Sequence, residues 1–70
     1  MEFVLVIYPE NRPVRVDGEV RGSTNAIFRV NTGTHTFDLD EPHDYRPESV
    51  ETYVGGTNPI KPLEVIFEKI

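Results

Sequence analysis

Apolar and polar side chains alternate along this chain in short segments, and glycines and prolines separate one segment from the next. No segment repeats its apolar residues with the 3.6-residue period of a helix, whereas alternation in runs rich in Val, Ile, Phe, Tyr and Thr is typical of strands. The predicted strands are Glu2–Tyr8, Pro13–Asp17, Asn25–Val30, Thr34–Asp40, Glu48–Val54 and Pro62–Ile70, with a return strand after Asp17-Gly18. We therefore expect an all-β fold, a small antiparallel β-sandwich or partly open barrel of about six short strands.

The clearest turn signal is Asp17-Gly18, which separates two short valine-bearing segments. A two-residue loop would pair Val16 with Glu19 and place Val20 on the face of Arg15. A three-residue loop would instead pair Val16 with Val20. Because alternation should keep the valines on one face, the three-residue loop is the favoured prediction.

A second hairpin is predicted between Asn25–Val30 and Thr34–Asp40, since a four-residue loop would match their apolar faces. This pairing places Phe28 opposite Phe37, and an aromatic pair is a favourable cross-strand contact. We therefore expect these two rings to be neighbours in the core. The predicted core consists of Leu5, Ile7, Val14, Val16, Phe28, Val30, Phe37, Leu39, Val50, Leu63, Val65 and Phe67.

The chain has 70 residues and no cysteine, so we expect one domain over residues 1–70 without disulfides. Its net charge of −5 opposes the phosphate neutralisation on which binding to nucleic acids and to anionic membranes depends. The longest apolar run, Phe3–Tyr8, is far shorter than the roughly 20 residues that cross a bilayer, and Glu2 makes it a poor signal peptide. We expect a cytoplasmic protein, or a surface or periplasmic one if the sequence is part of a longer chain, with no nucleic-acid or membrane partner.

The segment Val14–Gly18, followed by Val20–Thr24, resembles the opening motif of the PEGA domain, a small β module of bacteria and archaea. Gly33–Phe37 and Tyr45, two residues before Pro47, continue this likeness over most of the chain. The resemblance implies a β-sandwich that serves as a binding or surface module and has no established catalytic site.

The chain also departs from the PEGA pattern at several positions. Asn25 and Thr32 stand where the family often has proline, and Asp44 stands where it has glycine before the tyrosine. The Pro-Glu-Gly-Ala tetrapeptide that names the family is absent. The motifs that remain describe strands and turns, and related sandwich modules of the transthyretin type share such patterns.

Arginines and tyrosines form the first candidate binding site, because these residue types dominate recognition surfaces. The arginines of the second, third and fourth strands could line one outer face, with two tyrosines nearby, and bind a carbohydrate or an acidic peptide. The alternative is that the arginines form cross-strand ion pairs with Asp38, Glu51 or Glu64. The candidate residues are Arg15, Arg21, Arg29, Tyr45 and Tyr53.

Acidic residues form a second candidate site, since calcium prefers clustered carboxylates. The spacing does not match an EF-hand loop, and Pro42 interrupts the run. The alternative is a solvated strand face followed by a polar loop, and we expect no metal and no other cofactor. The calcium candidates are Asp38, Asp40, Glu41 and Asp44.

No motif of the chain indicates catalysis. Ser23 and Ser49 lack the context of an activated nucleophile, and Gly55–Thr57 lacks the lysine and the following helix of a phosphate-binding loop. His35 and His43 have no cysteine or Glu-x-x-His element near them. We expect a protein that is not an enzyme.

The first strand, Glu2–Tyr8, is apolar on both faces, so one face should enter the core and the other needs a cover. The last strand shows a similar excess at Ile66. We predict a two-fold dimer that buries Val4, Val6, Tyr8 and Ile66, because isologous contacts are the common solution. The alternative is a different protein over the same surface.

Together these observations predict a non-enzymatic module for protein or carbohydrate recognition or for self-assembly. A second copy of the chain is the first partner expected, and a carbohydrate is another. Two alternatives stay open: a structural accessory subunit of a larger complex, and a domain that binds a small ligand or calcium.

Overall fold

Nine strands and no helix form along the chain in the computed structural model, which describes all 70 residues. The all-β prediction is confirmed, and no segment forms a helix that could cross a membrane. The strands follow the runs rich in β-branched and aromatic residues, which suit a pleated, half-buried surface. They are β1 (Glu2–Ile7), β2 (Pro13–Val16), β3 (Glu19–Ser23), β4 (Ile27–Val30), β5 (Gly33–Leu39), β6 (Tyr45–Arg46), β7 (Val50–Val54), β8 (Leu63–Ile66) and β9 (Glu68–Lys69).

Two sheets form the body of the domain, as expected for a small β-sandwich. The three-stranded sheet has the order β4-β1-β8, with β1 antiparallel to β4 and parallel to β8. The four-stranded sheet has the order β3-β2-β5-β7 and is antiparallel throughout. A short antiparallel pair, β6-β9, completes the structure.

The hairpin of β2 and β3 has the two-residue loop, so the preferred three-residue loop was wrong. Val16 pairs with Glu19, and Val20 pairs with Arg15 and is exposed. The reason is the backbone at the turn, where Asp17 and Gly18 have φ values of 53° and 86°. Positive φ at both central residues defines the tight turn whose twist matches a hairpin, and this geometry outweighs the burial of one valine.

The predicted hairpin between the fourth and fifth strands was also wrong, because β4 and β5 lie in different sheets. Phe28 pairs with Val4 of β1, whereas Phe37 pairs with Val16 of β2 and Val50 of β7. Alternation of apolar residues indicates which face of a strand is buried, but it does not indicate which strand lies beside it. The two phenylalanines are therefore not cross-strand neighbours.

The core lies between the two sheets, and most of its predicted members are buried. Leu5 and Ile7 are exceptions, since β1 turns its even-numbered residues inward and leaves these two half-buried on the opposite face. Phe28, Val50 and Leu63 are partly buried against the core. The buried apolar residues are Val4, Val6, Tyr8, Val14, Val16, Val30, Phe37, Leu39, Tyr45, Val54, Val65 and Phe67.

This orientation of β1 corrects the predicted dimer surface. Val4, Val6 and Tyr8 have relative exposures of 0%, 0% and 2%, so they pack inside the monomer and cannot contact a second copy. Ile66 is exposed, as the prediction requires. β1 does carry apolar residues on both faces, and the face outside the core is the one with Leu5 and Ile7.

Candidate functional site

The five predicted binding residues do not form one site. Arg15 holds Asp38, its cross-strand neighbour, with Nε and Nη2 at 2.9 and 2.7 Å from the two carboxylate oxygens. This bidentate pair raises the pKa of Arg15 and occupies two of its N–H donors. Arg15 thus forms the cross-strand ion pair that was the alternative to a ligand site.

The two tyrosines do not lie on one surface, because one is buried and the other is exposed. Tyr45 is buried, and its hydroxyl donates to the Leu39 carbonyl at 2.8 Å and accepts from the Leu39 N–H at 3.2 Å. Its ring stands edge-on to Phe67, with 5.4 Å between the ring centroids. Tyr53 is exposed on the edge strand β7. Tyr45 therefore serves the core and is not available to a ligand.

Arg21 and Arg29 do come together, at a cleft of about 370 Å³ at one end of the sandwich. The cleft is also lined by Val16 and Val30 from the core. Glu19, a third polar group of the cleft, forms an ion pair with Arg21. This acidic side chain is therefore neutralised within the protein.

His35 and Asp17 form a second neutralised pair at the same cleft. Nδ1 of His35 lies 2.7 Å from Asp17 Oδ2, and Nε2 lies 2.7 Å from the Asn31 carbonyl oxygen. Both partners are acceptors, so the ring satisfies both only as the imidazolium, which donates from each nitrogen. The Asp17 carboxylate and then the Asn31 carbonyl raise the pKa of His35, and the His35 ring lowers the pKa of Asp17.

Two of the four acidic candidates for calcium are engaged in ion pairs. Asp38 binds Arg15, and Asp44 binds Arg12 with 2.9 Å between Oδ2 and Nη2. Asp40 accepts the backbone N–H of Glu41. No group of three histidine or carboxylate side chains is placed to hold a metal ion. Asp38, Asp40, Glu41 and Asp44 are therefore not brought together as one site.

The surface that sequence reasoning missed is the solvent-facing side of the three-stranded sheet, here called the outer face. Strand pairing sets its side chains in three rows across the sheet. Ile27 and Ile66, on the two edge strands, are 47% and 59% exposed. The rows are Arg29 with Phe3, then Ile27 with Leu5 and Glu64, then Ile7 with Ile66.

The solvent-facing side of the four-stranded sheet is polar by comparison. Its cross-strand neighbours include the Arg15–Asp38 ion pair and Thr36 beside Glu51. Antiparallel sheets commonly have one core face and one solvated polar face, and this sheet follows that rule. The outer face of the three-stranded sheet departs from it, since five of its seven side chains are apolar.

The two charged residues of the outer face stand on opposite edge strands. Arg29 is on β4 and Glu64 is on β8, and neither forms an ion pair within the protein. Arg29 is unusual in this respect, since the other arginines each hold a carboxylate. Those arginines are Arg12, Arg15, Arg21 and Arg46.

Comparison of the chain with family models, with curated proteins and with solved structures finds no match. The likeness to the PEGA domain therefore rests on its motifs alone.

Proposed function

We propose that this chain is a non-enzymatic protein-binding module and that the outer face is its docking surface. The observation that supports this most is the contrast between the two sides of the sandwich. One side is mostly polar and carries the Arg15–Asp38 ion pair, with Val20 as an isolated exposed aliphatic residue. The other side presents contiguous apolar rows with an unpaired charge on each edge strand. A contiguous apolar patch with a polar rim is typical of an interaction site.

The shape of the outer face favours a protein over a small ligand. Small-molecule sites are concave and enclose most of their ligand, whereas a sheet face is broad and open. Completing the burial of Ile66, which is 59% exposed, would contribute roughly half of the ~1.5–3 kcal/mol that full burial of an isoleucine is worth. Ile27, which is 47% exposed, would add a similar contribution, and the half-buried residues of β1 between the two edges would add smaller ones.

The test compares two exposed aliphatic residues on opposite sides of the sandwich. Ile66 on the outer face is 59% exposed, and Val20 on the four-stranded sheet is 57% exposed. We would compare wild type, Ile66→Lys and Val20→Lys by sedimentation of the purified proteins and by pull-down from an extract of the source cells. Circular dichroism and thermal melting establish that all three are folded.

The expected result is association, with a further copy or with another protein, that Val20→Lys retains and Ile66→Lys loses. Equal behaviour of the two lysine variants in both assays would contradict the proposal. So would a wild-type protein that associates with nothing in either assay.

A further inference from the structure

We infer that the occupant of the outer face is a second copy of this chain, packed face to face about a two-fold axis parallel to β1. This inference rests on the proposed function, because it names the partner of the same surface. It begins from the strand order, in which β1 is central and β4 and β8 are the two edges. The sheet is thus a three-strand unit with its apolar strand in the middle.

A two-fold axis that runs along β1, between two facing sheets, has a simple geometric consequence. It places β1 over β1, and it places β4 of each copy over β8 of the other. Every contact then occurs twice, as in any isologous interface. Phe3, Leu5 and Ile7 lie opposite the same residues of the second copy, at the centre of the interface.

The charges of the outer face are complementary under this operation. Arg29 lies on β4 and Glu64 lies on β8, so the axis brings each over the strand that carries the other. Arg29 stands in the Phe3 row and Glu64 in the Leu5 row, which is two residues along the strand, or about 7 Å. Two long side chains can span that offset, so Arg29 and Glu64, the two unpaired charges of the outer face, each gain a partner.

The same charges disfavour the other simple arrangement. An axis across the strands at the Leu5 row would place β4 over β4 and β8 over β8, so Glu64, which lies in that row, would stand directly over Glu64 of the second copy. Like charges near each other at an interface are unfavourable and suppress wrong pairings. Pairing of unlike edges is therefore the arrangement that this sheet favours.

The size of the outer face sets the expected strength of the dimer. Strands about 4.8 Å apart and rows about 7 Å apart give a patch roughly 15 Å on a side. A contact of this size is smaller than the ~800 Å² per partner of typical stable complexes. We therefore expect a weak, reversible dimer that forms at roughly tens to hundreds of micromolar and that weakens as salt screens the two ion pairs.

The experiment is sedimentation equilibrium on the full chain with reversed charges. Wild type should shift with concentration from the 8.0 kDa monomer toward twice that mass. Arg29→Glu and Glu64→Arg should each weaken the dimer by about tenfold or more, because two like-charge contacts replace two ion pairs. The double variant Arg29→Glu/Glu64→Arg should recover the dimer to within about threefold of wild type.

Glu51→Arg provides the matched control. Glu51 is exposed on the four-stranded sheet, and its replacement changes the net charge by the same amount as Glu64→Arg. This variant should dimerise like wild type. Circular dichroism checks the fold of each variant, and all three substituted positions are exposed.

Three results would overturn the inference. One is a wild-type chain that stays monomeric at hundreds of micromolar. Another is a dimer whose dissociation constant changes equally in Glu64→Arg and in Glu51→Arg. The third is a double variant that dimerises no more tightly than either single variant. If the chain is monomeric but an extract protein binds wild type and not Ile66→Lys, the second copy is excluded and the protein-binding function stands.

Discussion

The ring of Phe28 lies directly over Gly22, where a Cβ atom would stand 2.5 Å from Phe28 Cγ and 2.9 Å from Phe28 Cβ. Gly22 is on β3 of the four-stranded sheet and Phe28 is on β4 of the three-stranded sheet. The missing side chain therefore lets the two sheets approach at the corner where the chain crosses between them. A residue with a side chain at position 22 would collide with the Phe28 ring, so this close approach requires glycine.

We expect Gly22→Ala to destabilise the domain by about 1–3 kcal/mol, the usual cost of adding a methylene to a packed site. Gly55→Ala is the matched control. Its Cβ would also stand 2.5 Å from a ring atom, but that ring belongs to Tyr53, which is 63% exposed and can turn away. Urea unfolding of both variants measures the difference. Equal losses at the two glycines would show that the Phe28 contact is not the cause.

Phe37 is fully buried in the core, with Val16 and Val50 as its cross-strand neighbours. We expect Phe37→Ala to reduce the free energy of unfolding by ~3–5 kcal/mol, because it leaves a cavity. A 70-residue domain has only ~4–10 kcal/mol in total, so this variant should be largely unfolded at elevated temperature. Ile66→Ala, at an exposed position, should stay within ±0.5 kcal/mol of wild type. Thermal melting within a few degrees of wild type for Phe37→Ala would contradict the packing described.

The hydroxyl of Tyr45 satisfies both backbone groups of Leu39. Tyr45→Phe keeps the ring but leaves a buried N–H and a buried carbonyl without this partner, which costs about 1–3 kcal/mol. Tyr53→Phe removes the hydroxyl of an exposed ring and should leave stability nearly unchanged. Chemical denaturation of the two variants compares them directly. If Tyr53→Phe costs as much as Tyr45→Phe, the Leu39 hydrogen bonds do not stabilise the fold.

The His35–Asp17 pair makes stability depend on pH. The raised pKa of His35 contributes stability that is complete below the ordinary value of 6.5 and is lost as pH rises through the folded value. The lowered pKa of Asp17 contributes stability that is present above 3.8 and is lost as pH falls. The pair therefore stabilises the fold most between these two values.

Urea unfolding at about pH 5.5 and about pH 8 should show a more stable wild type at the lower pH. His35→Gln and Asp17→Asn should both remove most of that difference. Asparagine is a suitable replacement because it tolerates the φ of 53° at this turn position. A wild-type pH dependence that survives in both variants would place its origin in other groups.

Local chemistry determined the class of this protein and the positions of its turns. Short alternating runs between glycines and prolines are too brief and too regular in period two to form helices, so the all-β class follows from the sequence. Asp17-Gly18 turned the chain where predicted, because the pair of positive φ angles is a local property. The alternation of β5 also placed Phe37 and Leu39 correctly in the core.

Only the tertiary structure decided which strands are neighbours and which face of β1 is buried. Val4 and Val6 are as apolar as Leu5 and Ile7, so the pattern of β1 contains no preference between its faces. The choice comes from pairing with β4 and with the distant β8, which no local signal encodes. The same pairing sets Arg29 and Glu64 on opposite edges of one sheet. The candidate binding surface is therefore a property of strand order, and it becomes visible only when residues from both ends of the chain lie side by side.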